Sequence, residues 1–500
     1  QTDLAVYAQD DWRIRPNFTL SYGLRYEYQT NADSRFNFAP RLGFAWSPGG
    51  GANATRPPKM VIRGGVGIFY NRFSEGQTLQ ANRFNGLNQL QFPVPEVIIR
   101  ENGVQRPPTV AEQAATANFA LLNIFPVVPN SALLALIPPT QQTVYRVDSN
   151  LQAPNLYLMG LQVERQLPKN ITMFVGAYTM RMTHGIRLRD VNAPLPPTFT
   201  TRPIAGAGDI YQYESSGNFR MSQMFIGFNS RLNPRLSLSG NYSLAKASGD
   251  FDGFGGSGLP MNSYDLSIEH GRTTGDVRHR FTIFGTISSP WWGLTFNPFV
   301  IANTGAPFNI TTGQDLNLDR AFNERPTFAQ LNAYCTNQIN TSRCGSFDFS
   351  NTSNEFIPRN YGQSPGSISV NLRVGKTFTF GGESAPRASG GGGQRGGGGR
   401  SGPSMPGGGG HRGPGGPPGG GIAMGGPSGG GAGRYSLNVS INVQNLFNKV
   451  NLGRPEGNLT STNFGQSLGL GGSFGGFGGG GGGSTGAGNR RVYLNLRFNF

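Results

Sequence analysis

From Phe18 to Tyr28 the chain alternates without a break. Even positions are apolar (Phe18, Leu20, Tyr22, Leu24, Tyr26, Tyr28) and odd ones are polar or glycine, Arg25 and Glu27 among them. The last twelve residues repeat the rule, with Val492, Leu494, Leu496, Phe498 and Phe500 on one side and Tyr493, Asn495, Arg497 and Asn499 on the other. The segments 368–380, 435–447 and 236–244 follow it too. A period of two puts successive side chains on opposite faces of a β-strand. These runs exceed the roughly five or six residues of a soluble strand and match the about nine to eleven that cross a membrane. Thirteen strands are predicted, near 3–14, 17–28, 38–47, 60–70, 154–166, 170–182, 217–232, 235–248, 276–289, 293–303, 366–380, 434–448 and 489–500, with looser alternation over 60–70 and 170–182.

Loop lengths alternate as well. Tight turns centre on Pro16, Pro168, Pro234 and Pro290, and long connections fill 72–153, 184–216, 249–275, 304–365 and 449–488. Proline fixes φ for a turn and cannot continue a ladder, so each strand ends sharply there. Short turns at one end and long loops at the other is the asymmetry of an outer-membrane barrel, whose long loops face outside. The expected fold is therefore all-β, a transmembrane antiparallel β-barrel. Bacterial single-chain barrels have even strand numbers, so an odd count predicts further strands upstream. The opening Gln1-Thr2-Asp3 carries no basic or apolar leader pattern, which fits the C-terminal portion of a longer chain better than a freshly processed one.

Composition narrows the class further. Apolar residues are 36%, charged residues 14%, and mean hydropathy is -0.34. Helical membrane proteins need runs of about 20 apolar residues, and the most apolar stretch, 119–137, is broken by Asn123, Pro126, Pro129 and Asn130. Soluble domains carry about 25% charge, so a surface facing water everywhere does not fit either. Glycine is concentrated in 381–433 and 465–488. This divides the chain into 1–380, strands with long outer loops; 381–433, a flexible Gly/Pro-rich insert on the turn side; and 434–500, the last strands with the glycine-rich loop 465–488. The net charge of +16 comes almost wholly from arginines placed singly along the strands, a lining rather than a basic tail.

Few residues suggest local chemistry. Cys335 and Cys344, nine positions apart in a polar segment, suit a small disulfide in an oxidising compartment, against the alternative of two unrelated thiols. Asp315, Asn317 and Asp319 set oxygen ligands at alternate positions, as calcium loops do. Arg320, however, stands where such a loop has glycine and Pro326 where it has its bidentate glutamate, which favours a plain polar loop over a Ca²⁺ site. Gly465-Gln466-Ser467-Leu468-Gly469 matches GxSxG but runs into a glycine tract instead of a helix, and Gly375-Lys376-Thr377 lies in a strand rather than a phosphate-binding loop. His184, His270, His279 and His411 are scattered. No enzyme is expected. The insert's Gln394-Arg395 and His411-Arg412 resemble RGG segments but lack interleaved aromatics, so a solvated linker and no nucleic-acid partner are expected.

Several stretches carry a family likeness: 7–12, Arg15 to Leu20, Gly23 to Glu27, Asp276 to Phe281, Pro307 to Asp319 running on to Arg325-Pro326, Arg359 to Gly362 and Asn445 to Asn448. With these the chain resembles the barrel of TonB-dependent outer-membrane transporters, more narrowly their Oar-like branch, from Gln1 to Phe500 outside the glycine inserts. The resemblance implies a barrel of about 22 strands around a plug, here its C-terminal portion without the plug and TonB box. It implies import of a nutrient captured at the outer loops, partnership with the TonB complex through that plug, and residence in the bacterial outer membrane among lipopolysaccharide. Arg25, Glu27, Asn371, Arg373, Asn442, Gln444 and Arg497 then line the lumen and face the plug. Phe498 and Phe500 become the signal read by the barrel-assembly machinery, weakened by Asn495 where such signals often have glycine. A passive porin and an Oar-like surface or adhesion protein are the alternatives.

Overall fold

The computed structural model describes residues 1–50, 58–89, 91, 99–101, 104–106, 142–253, 258–336, 344, 350–383, 433–471 and 488–499. Its main sheet runs in chain order through thirteen antiparallel strands. These are β1 (Asp3–Arg15), β2 (Phe18–Gln29), β3 (Phe38–Trp46), β4 (Met60–Tyr70), β5 (Asn155–Leu167), β6 (Ile171–Asp190), β7 (Ile210–Asn233), β8 (Leu236–Gly249), β9 (His279–Ser288), β10 (Thr295–Asn303), β11 (Ser367–Glu383), β12 (Gly433–Gln444) and β13 (Arg491–Asn499). Every predicted strand is present, including the two with looser alternation. Val144–Val147 pairs parallel to β7, and Gly271–Arg272 extends β8. Among the described residues no pairing joins β13 to β1, and both edge strands are exposed along their whole length.

The register carries a single apolar face across the sheet. Tyr22 lies opposite Leu42, Leu42 opposite Val66 and Val66 opposite Met159. Leu161 continues through Ala177 and Met224 to Leu244, and Val374, Ile441 and Leu494 hold the same face near β13. These side chains are left uncovered: Leu161 is 51% exposed and Met224 61%. An apolar surface this continuous needs an apolar solvent or partner. Tyr7, by contrast, pairs with Arg25 and so lies on the opposite face.

The opposite face is polar toward the turns and apolar toward the loops. Near the loop end, Leu156, Met180, Met182, Phe219 and Met221 bury against Phe69 and Phe251. Phe251 belongs to the connection after β8, and its ring lies over Gly185 and Gly217, where any Cβ would strike it. The sequence pattern gave no sign of this. Strands β6 and β7 continue past His184, whose φ is +57°, and past register shifts around Gly217. Those breaks hide the strand extensions, so the expected 184–216 connection shrinks to 191–209.

All tight turns sit at one end of the sheet and the folded connections at the other. β11 and β12 meet at the turn end, and the residues between them, 384–432, lie outside the described ones together with most of the glycine-rich insert. At the loop end stand α1 (Glu75–Arg83), started by a Ser74/Gln77 capping box, and α2 (Phe328–Thr336). Among the described residues no helix is long and apolar enough to cross a membrane.

Candidate functional site in the loop cap

Among the described residues, the connections at the loop end fold together into a cap. Its frame is a set of arginines bound to acids, most of them distant in sequence. Arg187 pairs with Asp250 at 2.6 Å, Arg189 with Glu214 at 2.6 Å and Arg359 with Asp252 at 2.6 Å. Arg202 bridges Asp209 (2.9 Å) and Asp190 (3.7 Å), and Arg320 reaches the second oxygen of Asp209 at 2.8 Å. Arg325 is 2% exposed; it donates to Glu269 (3.0 Å) and to the carbonyls of Ile268 (2.7 Å) and Ile357 (3.1 Å). Guanidinium suits this task because its planar fork serves several acceptors at fixed angles. Asn192 fastens 191–209 by donating to the Gly208 carbonyl (2.8 Å) and accepting from the Ile204 amide (2.7 Å).

Within this frame, Asp315, Asp319 and Glu324 bring one carboxylate oxygen each to within 4.8 Å of one another, and all three residues are buried. Asp315 accepts from the amides of Asp319 and Arg320, both at 3.1 Å, and Asp319 from the Ala321 amide at 2.8 Å. Asn317, counted with the two aspartates in the sequence, plays a different part. Its amide group donates to Asp319 (3.0 Å) and to the Met261 carbonyl (2.9 Å), orienting the acid and tying the loop down. Glu324 was not anticipated, because the expected glutamate position falls on Pro326; the chain instead returns Glu324 to the cluster after a shorter excursion. Arg320 adopts φ +67°, the left-handed turn a glycine normally serves, so the residue that argued against a calcium-type loop does not prevent its geometry. Burial, with the neighbouring Asp315 and Asp190 charges, pushes the Asp319 carboxyl up to about 7. Burial together with Asp319 and Asp315 pushes Glu324 up to about 8.

The remaining predicted residues are spread along the sheet. Arg25 and Glu27 form an ion pair at 2.8 Å on the polar face of β2. Asn371 accepts from the Asn445 amide at 2.9 Å. Arg373 lies opposite Asn442, Gln444 opposite Arg491 and Arg497 opposite Asn438, all on the face away from the apolar ridge. Phe498 holds the apolar face opposite Leu437, while Phe500 lies outside the described residues. Cys335 and Cys344 form a disulfide with Cα atoms 5.7 Å apart, packed with Leu331, Ile357 and Phe464.

The sequence over residues 1–36 and 30–386 matches the outer membrane beta barrel domain family. The chain belongs to that family. As an outer-membrane barrel it resides in the bacterial outer membrane, with lipid as the solvent for its apolar face. Solved structures of transporters and receptors share its fold to varying degrees. The Escherichia coli outer membrane transporter YddB is similar at a TM-score of 0.50 and 11% identity, over 99% of this chain and 44% of that one. A mutant of the ferric enterobactin receptor PfeA of Pseudomonas aeruginosa gives 0.47, and the FrpB iron transporter of Neisseria meningitidis 0.42, each at 11% identity over 99% of this chain and 44% of the other. The chain thus spans less than half the length of these proteins. No curated protein matches its sequence.

The family sets the orientation. The cap lies outside the cell and the turns face the periplasm. At the outer boundary of the lipid face, Arg181 and Arg220 pair across β6 and β7, with Tyr157 beside them and Lys246 one row in, and all of these are exposed. Sequence reading missed this group because each cation stands alone in its own strand and only the register assembles them.

Proposed function

We propose that this chain forms the wall and outer cap of a TonB-dependent transporter, which captures a scarce nutrient on the cap and admits it through the lumen with energy relayed by TonB. The observation that carries this reading is the pairing of an outer cap with a wall whose two edge strands have no outer partner among the described residues. Unpaired backbone groups along β1 and β13 would cost several kcal/mol each in hydrocarbon. Further strands of the same protein would close them and complete a wide barrel, in keeping with the YddB fold over nearly the whole chain. A barrel of that width needs a plug to avoid leakage. Arg25, Glu27, Arg373 and Asn442 are the side chains offered to it, with Asn371, Gln444 and Arg497 along the same face. Phe498 and Phe500 serve the assembly machinery. Arg181, Arg220 and Lys246 meet the phosphates of lipopolysaccharide in the outer leaflet, since among the described residues no carboxylate forms an ion pair with them.

The test is growth on, or uptake of, candidate nutrients by cells carrying the full-length protein, with and without an active TonB. Siderophores, vitamins, oligosaccharides and peptides form the panel. Uptake that vanishes without TonB supports transport. Uptake that persists identifies a passive pore. Loss of cell-surface contact with no uptake phenotype identifies an adhesion protein.

A further inference from the structure

The geometry points to a Ca²⁺ site in the outer cap, with Asp315, Asp319 and Glu324 as carboxylate ligands and Asn317 as a positioning residue. The first ground is the shape of the cluster. Hard oxygens alone converge here, without sulfur or imidazole, which suits an alkaline-earth ion over zinc. Mg²⁺ keeps several of its waters and is usually bound through one or two carboxylates, whereas Ca²⁺ accepts several carboxylate ligands in a flexible shell. Three buried carboxylates, each with an oxygen within 4.8 Å of the others, therefore suit Ca²⁺ better than Mg²⁺.

The second ground is independent of the clustering. Glu324 is 5% exposed, and its Oε2 is buried without a hydrogen-bond partner, while Oε1 accepts a 3.3 Å bond from the Leu316 amide. An unpartnered buried carboxylate oxygen is expensive to maintain. Nearby cations do not supply its partner: Arg320 is turned to Asp209 and Arg325 to Glu269. No ion pair reaches Asp319 or Glu324 among the described residues. The cap spends its arginines on other acids and gathers this acid cluster where a divalent ion would join 315–324 to the 258–269 segment, through Asn317 and Met261. This inference does not rest on the transport reading, since a pore or an adhesion protein would need its cap fastened equally.

The experiment is calorimetric titration of CaCl₂ into the full-length protein in detergent after chelator treatment, with limited proteolysis of the cap as a second readout. The expected dissociation constant is on the order of 10⁻⁴–10⁻³ M, the range of extracellular calcium modules. Saturating Ca²⁺ should slow cap cleavage at least tenfold, and MgCl₂ at the same concentration should do much less. Glu324→Gln keeps the shape of the side chain, so its fold, checked by heat-modifiable gel mobility, should match the wild type while affinity falls at least tenfold. Asp319→Asn should behave alike. Arg146→Gln, on the cap but outside the cluster, should bind as the wild type does. Absence of Ca²⁺ binding by folded wild type at 10-fold above ~10⁻³ M, or wild-type affinity in Glu324→Gln, overturns the assignment.

Discussion

The wall and the cap of this barrel bury opposite things. In the wall, Leu161, Met224 and Leu494 remain open to the surroundings while backbone groups pair strand to strand. In the cap, Arg325, Asp190 and Asp276 are buried and held by directed bonds. The contrast follows from two solvents. Lipid removes the hydrophobic penalty for outward leucine but forbids an unpaired amide. Water allows an unpaired amide outside, yet any charge drawn inside must find partners of good geometry. Wall stability is therefore spread over many equivalent residues, whereas cap stability is concentrated in a few ion pairs.

The sharpest way to break that contrast is to remove one buried partner in the cap. Arg325→Met takes the donor from the Ile268 and Ile357 carbonyls and leaves the buried Glu269 carboxylate without its counter-charge, held by the Met261 amide. Deleting one member of a buried pair costs about 3–5 kcal/mol. Cap proteolysis should accelerate by two orders of magnitude or more while the barrel keeps its heat-modifiable gel shift. If cap and barrel fail together, the two regions are one cooperative unit and the contrast is wrong.

The reverse experiment puts a charge into the wall. Ile226 lies on the lipid face of β7 opposite Tyr242 and Val175, well inside the strand. An arginine near the bilayer midplane costs about 2–4 kcal/mol. Ile226→Arg should lower the urea midpoint for folding into vesicles, whereas Arg on the polar face at Asn229 should not. Equal effects at both positions would contradict the assigned lipid face.

The same division decides what could be read from the residue order. Wall strands announce themselves because a face shared with lipid imposes period two on every neighbour, and Pro16, Pro168 and Pro234 mark where each pair ends. The cap imposes no period. Arg320 and Asp209 lie 111 positions apart, Arg325 and Glu269 56, and no local pattern couples them. Part of the acid cluster was visible in Asp315-x-Asn317-x-Asp319, since ligands on one short loop leave a spacing. Glu324 was not, because its approach depends on a return of the chain. The inner apolar patch of Met180, Met182 and Met221 escaped notice because alternation between two apolar faces looks like loss of alternation.

A milder perturbation acts on the cap alone. Asp319 and Glu324 rise in the folded cap from ordinary values of 3.8 and 4.5 to about 7 and about 8. The folded cap therefore holds protons that the unfolded one releases from about pH 4 upward. Without Ca²⁺, the stability these protons provide is present at low pH and is lost as pH rises through 7 to 8. Cap cleavage in chelator should speed up several-fold between pH 6 and pH 9, after correction with an unfolded peptide control. Asp315 and Asp190 face Asp319, and Asp319 and Asp315 face Glu324, and each of these charges raises the carboxyl it faces. Slower cleavage at the higher pH would refute this pH dependence.

The smallest effect compares like with like. Arg63 and Glu164 pair at 3.0 Å across β4 and β5, as Arg325 and Glu269 do at 3.0 Å in the cap, but the wall pair is 27% and 38% exposed against 2% and 7%. Distance being equal, the surrounding medium decides the value of the pair. A half-exposed pair is screened by water and ions and contributes about 0–1 kcal/mol. In a double-mutant cycle, Arg63→Gln with Glu164→Gln should give a coupling energy within that range, shrinking further in high salt. The cap cycle, Arg325→Met with Glu269→Gln, should couple at least threefold more strongly and respond little to salt, because no counter-ion reaches the buried pair. A wall pair coupled as strongly as the cap pair would mean that the lumen around Arg63 is as dry as the cap, and that the polar face of the sheet is covered rather than wet.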